Sequence, residues 1–108
     1  MSQLIEISPQ QALQMWQNGE AILADVRKPE DFAQAHPQGA VSLTEHSWPQ
    51  FAQQHEYDQP IILSCYHGIS SKKVAEFLLQ QGYEHIYSVI GGFEGWQKAG
   101  LPLESGFN

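Results

Sequence analysis

Short unbroken apolar runs alternate with amphipathic segments along the whole chain. Ala21-Ile22-Leu23-Ala24 and Ile61-Ile62-Leu63-Ser64 are too short for helices, and neither keeps a polar face. That pattern belongs to strands covered on both sides, as in a parallel sheet. Ile86-Tyr87-Ser88-Val89-Ile90 reads as the last strand, Ala40-Val41-Ser42-Leu43 as a weaker one, and Leu4-Ile5-Glu6-Ile7 as an N-terminal addition. Between them lie helices with legible ends. Ser8-Pro9-Gln10-Gln11 carries a cap, a first-turn proline and the partner of a capping box, with Leu13 and Trp16 on the helix that follows and Gly19 ending it. Pro29-Glu30-Asp31-Phe32 opens a short helix with acids at its positive end. His46 to His55 is a weaker helix, and the turn signal Asp58-Gln59-Pro60 precedes the Ile61 strand. The spacing predicts the best helix over Ser70 to Gln81. Its apolar side holds Val74, Phe77, Leu78 and Gln81, widened by Ala75 and Leu79, with Gly82 just past its end. Phe93 to Lys98 forms the last helix, closed by Gly100 and Pro102.

Strands alternating with helices predict an α/β fold around a mostly parallel sheet of four or five strands, flanked by helices. Crossovers in such sheets are right-handed, and ligands bind outside the carboxyl ends of the strands. Asp25, Thr44, Cys65 and Gly91 each follow a predicted strand, so the topology lines them along that edge.

Composition narrows the options. At 108 residues, 42% hydrophobic and 16% charged, the chain suits one domain over 1–108 with a core of its own. Five Lys and Arg against twelve Asp and Glu give a formal charge of −7. The basic pairs Arg27-Lys28 and Lys72-Lys73 make no stripe, which argues against nucleic acid as a partner. One cysteine, Cys65, excludes an intramolecular disulfide and a multi-cysteine zinc site. His36, His46, His55 and His85 lack metal-ligand spacing, and His36 reads as structural, so no metal is expected. Met1 to Glu6 lacks the basic start and long apolar core of a signal peptide, and no run approaches the ~20 residues of a membrane span. The expectation is a cytoplasmic protein with no membrane partner.

The candidate chemistry lies in Ser64-Cys65-Tyr66-His67-Gly68-Ile69-Ser70-Ser71-Lys72-Lys73, read as strand, cysteine, tight loop and helix start. Such a loop aims several backbone N–H groups at one point, and the helix dipole adds partial positive charge. Ser70 and Ser71 supply hydroxyl donors or caps, and Lys72 and Lys73 supply positive charge. A thiol in that setting is favoured as the thiolate, which is the nucleophile. The cradle also suits an anionic substrate or a negatively charged intermediate. The bland alternative is a cysteine acting as a small buried hydrophobe. The glycine, serines and lysines favour the reactive thiol. His67 is read as a pocket-rim residue rather than a general base. Asp25 and Arg27, two apart in an extended segment, point the same way, as a structural ion pair in preference to a field-shaping one. Phe93 and Trp96 read as core, and Gly91-Gly92 as a tight turn. A phosphatase of related fold needs Arg six positions after its cysteine, where this chain has Ser71. Lysine does not reproduce that bidentate fork.

The loop Cys65 to Ser71 resembles the active-site loop of the rhodanese family, in its small single-domain form. Three more segments resemble the family in its order. Asp25-Val26-Arg27 matches Asp-x-Arg after an early strand. His36-Pro37-Gln38-Gly39-Ala40 is similar to His-Ile-Pro-Gly-Ala with an offset and a substitution. Gly91-Gly92-Phe93-Glu94-Gly95-Trp96 matches Gly-Gly-x-x-x-Trp. The resemblance runs from about Ser8 to Pro102 and implies an α/β domain with a central five-stranded sheet. It implies a thiosulfate sulfurtransferase working in two half-reactions without metal or organic cofactor. Cys65 would take the outer sulfur of thiosulfate as a persulfide and pass it to cyanide or a small thiol, or to a thioredoxin-like protein. Backbone N–H groups from Tyr66 through His67, Gly68, Ile69 and Ser70 would cradle the persulfide. A persulfide relay fed by another donor is the alternative. The chain departs from the family where many members carry Arg or Lys just after the cysteine, since Tyr66 and His67 stand there. Lys72 or Lys73 would then compensate, unless both are solvated helix residues. Ile69 is left as a partner contact or a packing residue.

Overall fold

The structure is a computed structural model that describes residues 3–66 and 71–106. The predicted loop positions His67, Gly68, Ile69 and Ser70 lie outside the described residues, as do Met1 and Ser2. The elements run β1 (Gln3–Ile7), α1 (Pro9–Gln17), β2 (Ile22–Asp25), α2 (Pro29–Gln34), β3 (His36–Pro37), β4 (Val41–Ser42), α3 (Trp48–Gln54), β5 (Ile61–Ser64), α4 (Ser71–Gln81), β6 (His85–Val89), α5 (Gly92–Lys98) and β7 (Leu103–Glu104).

Five strands form one sheet in the order β1-β6-β5-β2-β4, and every pairing in it is parallel. β5 sits at its centre with all four residues inaccessible to solvent. Their side chains alternate between two cores, as the period of a strand requires. Leu23, Ile62, Val89 and Trp96 pack on the side of α1, α2 and α5. Ile61, Leu63, Ile86, Phe51 and Leu78 pack on the side of α3 and α4. This two-sided burial is why those strands show no polar face in the sequence.

The capping box at the start of α1 forms. Ser8 Oγ accepts from Gln11 N at 3.1 Å, and Gln11 Oε1 accepts from Ser8 N at 2.9 Å. Among the described residues no helix is long and apolar enough to cross a membrane.

Two features differ from the expectation. β3 and β7 pair antiparallel as a small second sheet, His36 opposite Glu104 and Pro37 opposite Leu103. A two-residue strand has no periodicity to display, so neither was visible. In α4 the buried line is Ser71, Ala75 and Leu78, while Phe77 and Gln81 are exposed. Steps of four and three residues place the stripe on that line, and Phe77 falls about 100° from Leu78 around the axis. Phe77 instead meets the ring of Trp48 edge-on, with centroids 5.0 Å apart.

Candidate active site

Because the five strands are parallel, their carboxyl ends share one edge. Asp25 ends β2, Ser64 ends β5 and leads directly into Cys65, and Val89 ends β6 just before Gly91. Cys65 is 2% exposed. Its carbonyl accepts from Phe93 N at 2.6 Å, and the Tyr66 carbonyl accepts from Glu94 N at 3.1 Å. The first turn of α5 thus grips the backbone of the two residues that follow β5. The glycines permit that approach. Gly91 has φ +77°, and a Cβ on Gly95 would stand 2.7 Å from the Ile90 carbonyl oxygen. Such a gap excludes any side chain, so the Gly-Gly-Phe-Glu-Gly-Trp segment is read here as backbone geometry. Phe93 and Trp96 are buried as expected, and Trp96 Nε1 donates to the Pro102 carbonyl at 2.8 Å.

On the other side of Cys65, α4 begins at Ser71. Ser71 Oγ lies 2.6 Å from Ser88 Oγ of β6, and both are buried. That hydroxyl pair ties the first turn of α4 to the sheet. Lys72, on the same turn, ion-pairs with Glu6 of β1 at 3.6 Å, both half exposed. Lys73 turns instead toward a cleft beside α3. Tyr66 is 51% exposed.

Asp25 and Arg27 do pair. Asp25 Oδ1 accepts from Arg27 N at 2.9 Å and Nε at 3.0 Å, and Oδ2 accepts from Nη2 at 2.7 Å. Nη2 also donates to the Ala35 carbonyl at 2.6 Å. The guanidinium carbon lies 4.0 Å from the centroid of the Phe93 ring. Buried charge is tolerable only when compensated in this way. The pair braces the end of β2 against α2 and α5, on the residue whose amide holds the Cys65 carbonyl.

His36 is structural. Its Nδ1 donates to the Phe32 carbonyl at 2.7 Å, and its ring stacks on Phe32 at 3.7 Å. Among the described residues no three His, Cys, Asp or Glu side chains are grouped to hold a metal ion.

The reading of the sequence missed the cleft beside this edge, about 760 Å³ in volume, between α3, α4 and the turns after β2 and β4. Thr44, one of the predicted edge residues, lines it, as do Lys28, Trp48 and Phe77. The available signal was Phe77 itself, an aromatic residue off the centre of the buried stripe.

The pattern that defines the rhodanese-like domain matches residues 8–99. Among similar proteins, the thiosulfate sulfurtransferase GlpE of Glaesserella parasuis serovar 5 is 51% identical over 102 residues, covering 94% of each chain. The thiosulfate sulfurtransferase GlpE of Haemophilus influenzae strain PittEE is 53% identical over 102 residues, covering 94% of this chain and 96% of that one. A solved thiosulfate sulfurtransferase from Pseudomonas aeruginosa superposes with a TM-score of 0.85 at 18% identity, over 97% of this chain and 20% of that one. The polysulfide-sulfur transferase of Wolinella succinogenes superposes with a TM-score of 0.78 at 22% identity, over 94% of this chain and 79% of that one. These last two show the shared fold. With the defining pattern running over most of the chain, and half the aligned positions identical in relatives of nearly the same length, the chain belongs to the rhodanese family.

Proposed function

We propose that the protein is a thiosulfate sulfurtransferase that carries sulfur on Cys65. One observation carries the reading: the single cysteine directly follows the central strand β5, in a chain 51% identical to a protein named for that activity.

In the first half-reaction the Cys65 thiolate attacks the outer sulfur of thiosulfate. An Sγ–S bond forms, the S–S bond of thiosulfate breaks, and its electron pair leaves on sulfite. The persulfide retains one negative charge. Backbone N–H groups of Tyr66, His67, Gly68, Ile69 and Ser70, with the positive end of α4 behind them, are assigned to hold that charge. In the second half-reaction cyanide or a thiolate attacks the outer sulfur, and the electron pair returns to Sγ. No oxidant or reductant is consumed. One rhodanese-like domain suffices for both steps. A thioredoxin-like dithiol is an acceptor consistent with this chemistry, and a reducing cytoplasm keeps Cys65 as the thiol the cycle needs. Asp25 and Arg27 act by bracing the site. Of the two lysines after the loop, Lys73 is assigned the electrostatic support, since Lys72 is engaged by Glu6.

Intact-protein mass spectrometry tests this. Brief incubation with thiosulfate is expected to add one sulfur atom, erased by cyanide with release of thiocyanate. Cys65→Ser is expected to add none. Thiocyanate production by the serine variant would overturn the assignment.

A further inference from the structure

The structural role of His36 uses one of its two ring nitrogens. The ring is inaccessible to solvent, and Nε2 has no hydrogen-bond partner. A buried nitrogen left in that state is costly. Nδ1 is committed. It lies 2.7 Å from the Phe32 carbonyl, which can only accept, so Nδ1 carries a proton. In a neutral ring Nε2 would then hold a bare lone pair. The atom opposite it is Glu104 Oε1, 3.7 Å away. A lone pair set against a carboxylate oxygen is repulsive. A second proton, on Nε2, turns the same geometry into an ion pair.

Glu104 anchors a strap formed by residues 101–106. The same Oε1 accepts from Gly39 N at 2.9 Å. Gln38 N donates to the Pro102 carbonyl at 3.0 Å, and Gly106 N donates to the Ala33 carbonyl at 2.7 Å. Trp96 Nε1 reaches the same Pro102 carbonyl from α5. The strap therefore crosses β3 and ties α2 to α5. It does so with little apolar burial. Pro102, Leu103 and Ser105 are exposed, and Leu101 is half-buried against the core. A segment held mainly by polar contacts opens locally at low cost.

The charges around the ring single out Glu104. Lys28, Glu30 and Asp31 stand at the start of α2, and His36 follows its last turn. Glu94 and Lys98 of α5 pair with each other at 3.5 Å on the surface. Arg27 is held by Asp25 and by the Ala35 carbonyl. The Glu104 side chain is 33% exposed, which gives a proton shared with His36 a way to water.

We propose that His36 and Glu104 form a proton-operated latch for the C-terminal strap. With Nε2 protonated, imidazolium and carboxylate hold the strap on β3. When that proton leaves to solvent, the lone pair faces the carboxylate, and the strap opens, uncovering β3 and the Trp96 indole N–H. The folded chain has this pair and the unfolded chain has not. The folded chain therefore binds the proton more tightly, so the latch is closed on the acid side and loosens as pH rises. The device is independent of the sulfur-transfer reading.

NMR on the full chain tests it. Nitrogen-15 shifts of the His36 ring report its protons directly, and both nitrogens are expected to show the imidazolium pattern at neutral pH. Amide exchange protection at Gln38, Gly39 and Gly106 is expected to fall about tenfold between about pH 6 and pH 9, in step with the titration of His36. Leu63 N, in the central strand, is expected to exchange far more slowly throughout, as local opening requires. Glu104→Gln keeps an oxygen for Gly39 N and removes the charge. It is expected to lower the proton affinity of His36 about tenfold and to leave the three amides poorly protected across the range. A neutral His36 ring in the parent at neutral pH would overturn the latch. So would protection that ignores the titration of His36, exchange at the three amides as slow as at Leu63, or a titration unmoved by Glu104→Gln.

Discussion

Arg27 makes four kinds of contact: a fork to Asp25, its own amide to the same carboxylate, a bond to the Ala35 carbonyl, and its flat face on Phe93. Removing the guanidinium would leave Asp25 fully buried with its charge uncompensated. Arg27→Met is therefore expected to lower the urea-derived unfolding free energy by about 3–5 kcal/mol, and Asp25→Asn added to it to recover part of the loss. A loss under about 1 kcal/mol would mean that the buried pair is not what holds this corner. The sequence told that these two side chains point the same way. It did not show that Ala35 and Phe93 complete the site, because those partners come from other elements. Ser71 is a similar case. Its identity argued against a phosphatase, but its bond to Ser88, seventeen positions away, is a tertiary fact.

At the scale of elements, α4 shows how a correct helix can carry a shifted face. The pattern of Val74, Phe77 and Leu78 marks a helix, yet the burial line runs through Ser71, Ala75 and Leu78. Only packing on β5 and β6 decides which rotation about the axis is realised. The consequence can be measured in two neighbours. Leu78→Ala, in the core, is expected to cost about 2–5 kcal/mol. Phe77→Ala, on the cleft, is expected to cost about 1 kcal/mol or less. Similar losses at both positions in chemical denaturation would show that the face had been placed wrongly. The ends of α1, α2 and β5 were legible because caps, prolines and glycines act within a few residues. The pairing of β3 with β7 was not, because a two-residue strand exists only when its distant partner is present.

Across the whole molecule, stability should also respond to pH at the corner where α3 ends. His55 lies against Phe51 at the end of α3, ring centroids 4.5 Å apart, and burial holds its pKa below the ordinary 6.5. The folded chain then binds that proton less tightly than the unfolded one. The stability that depends on neutral His55 is full above about pH 6.5 and is lost as pH falls toward the lowered folded value. Tyr83 donates to the His55 carbonyl at 2.9 Å. Burial, then the nearby Tyr57, raise its pKa above 10.0, so its contribution is present below pH 10 and lost as pH rises further. Acidification also shrinks the net charge of −7 and with it self-repulsion, which acts in the opposite direction. Comparison of His55→Gln with the parent isolates the histidine: the parent is expected to lose more stability between pH 7.5 and 5.5. Parallel pH profiles would refute it. By itself the sequence determined the α/β class, the parallel sheet, the cysteine at the strand end and the glycine turn beside it. Those follow from local periodicity and from the handedness and direction of parallel strands. The tertiary structure alone decided the strand order, the second small sheet, the rotation of α4 and the cationic apolar cleft. Each of these depends on side chains far apart in the chain meeting at one place, which no local pattern encodes.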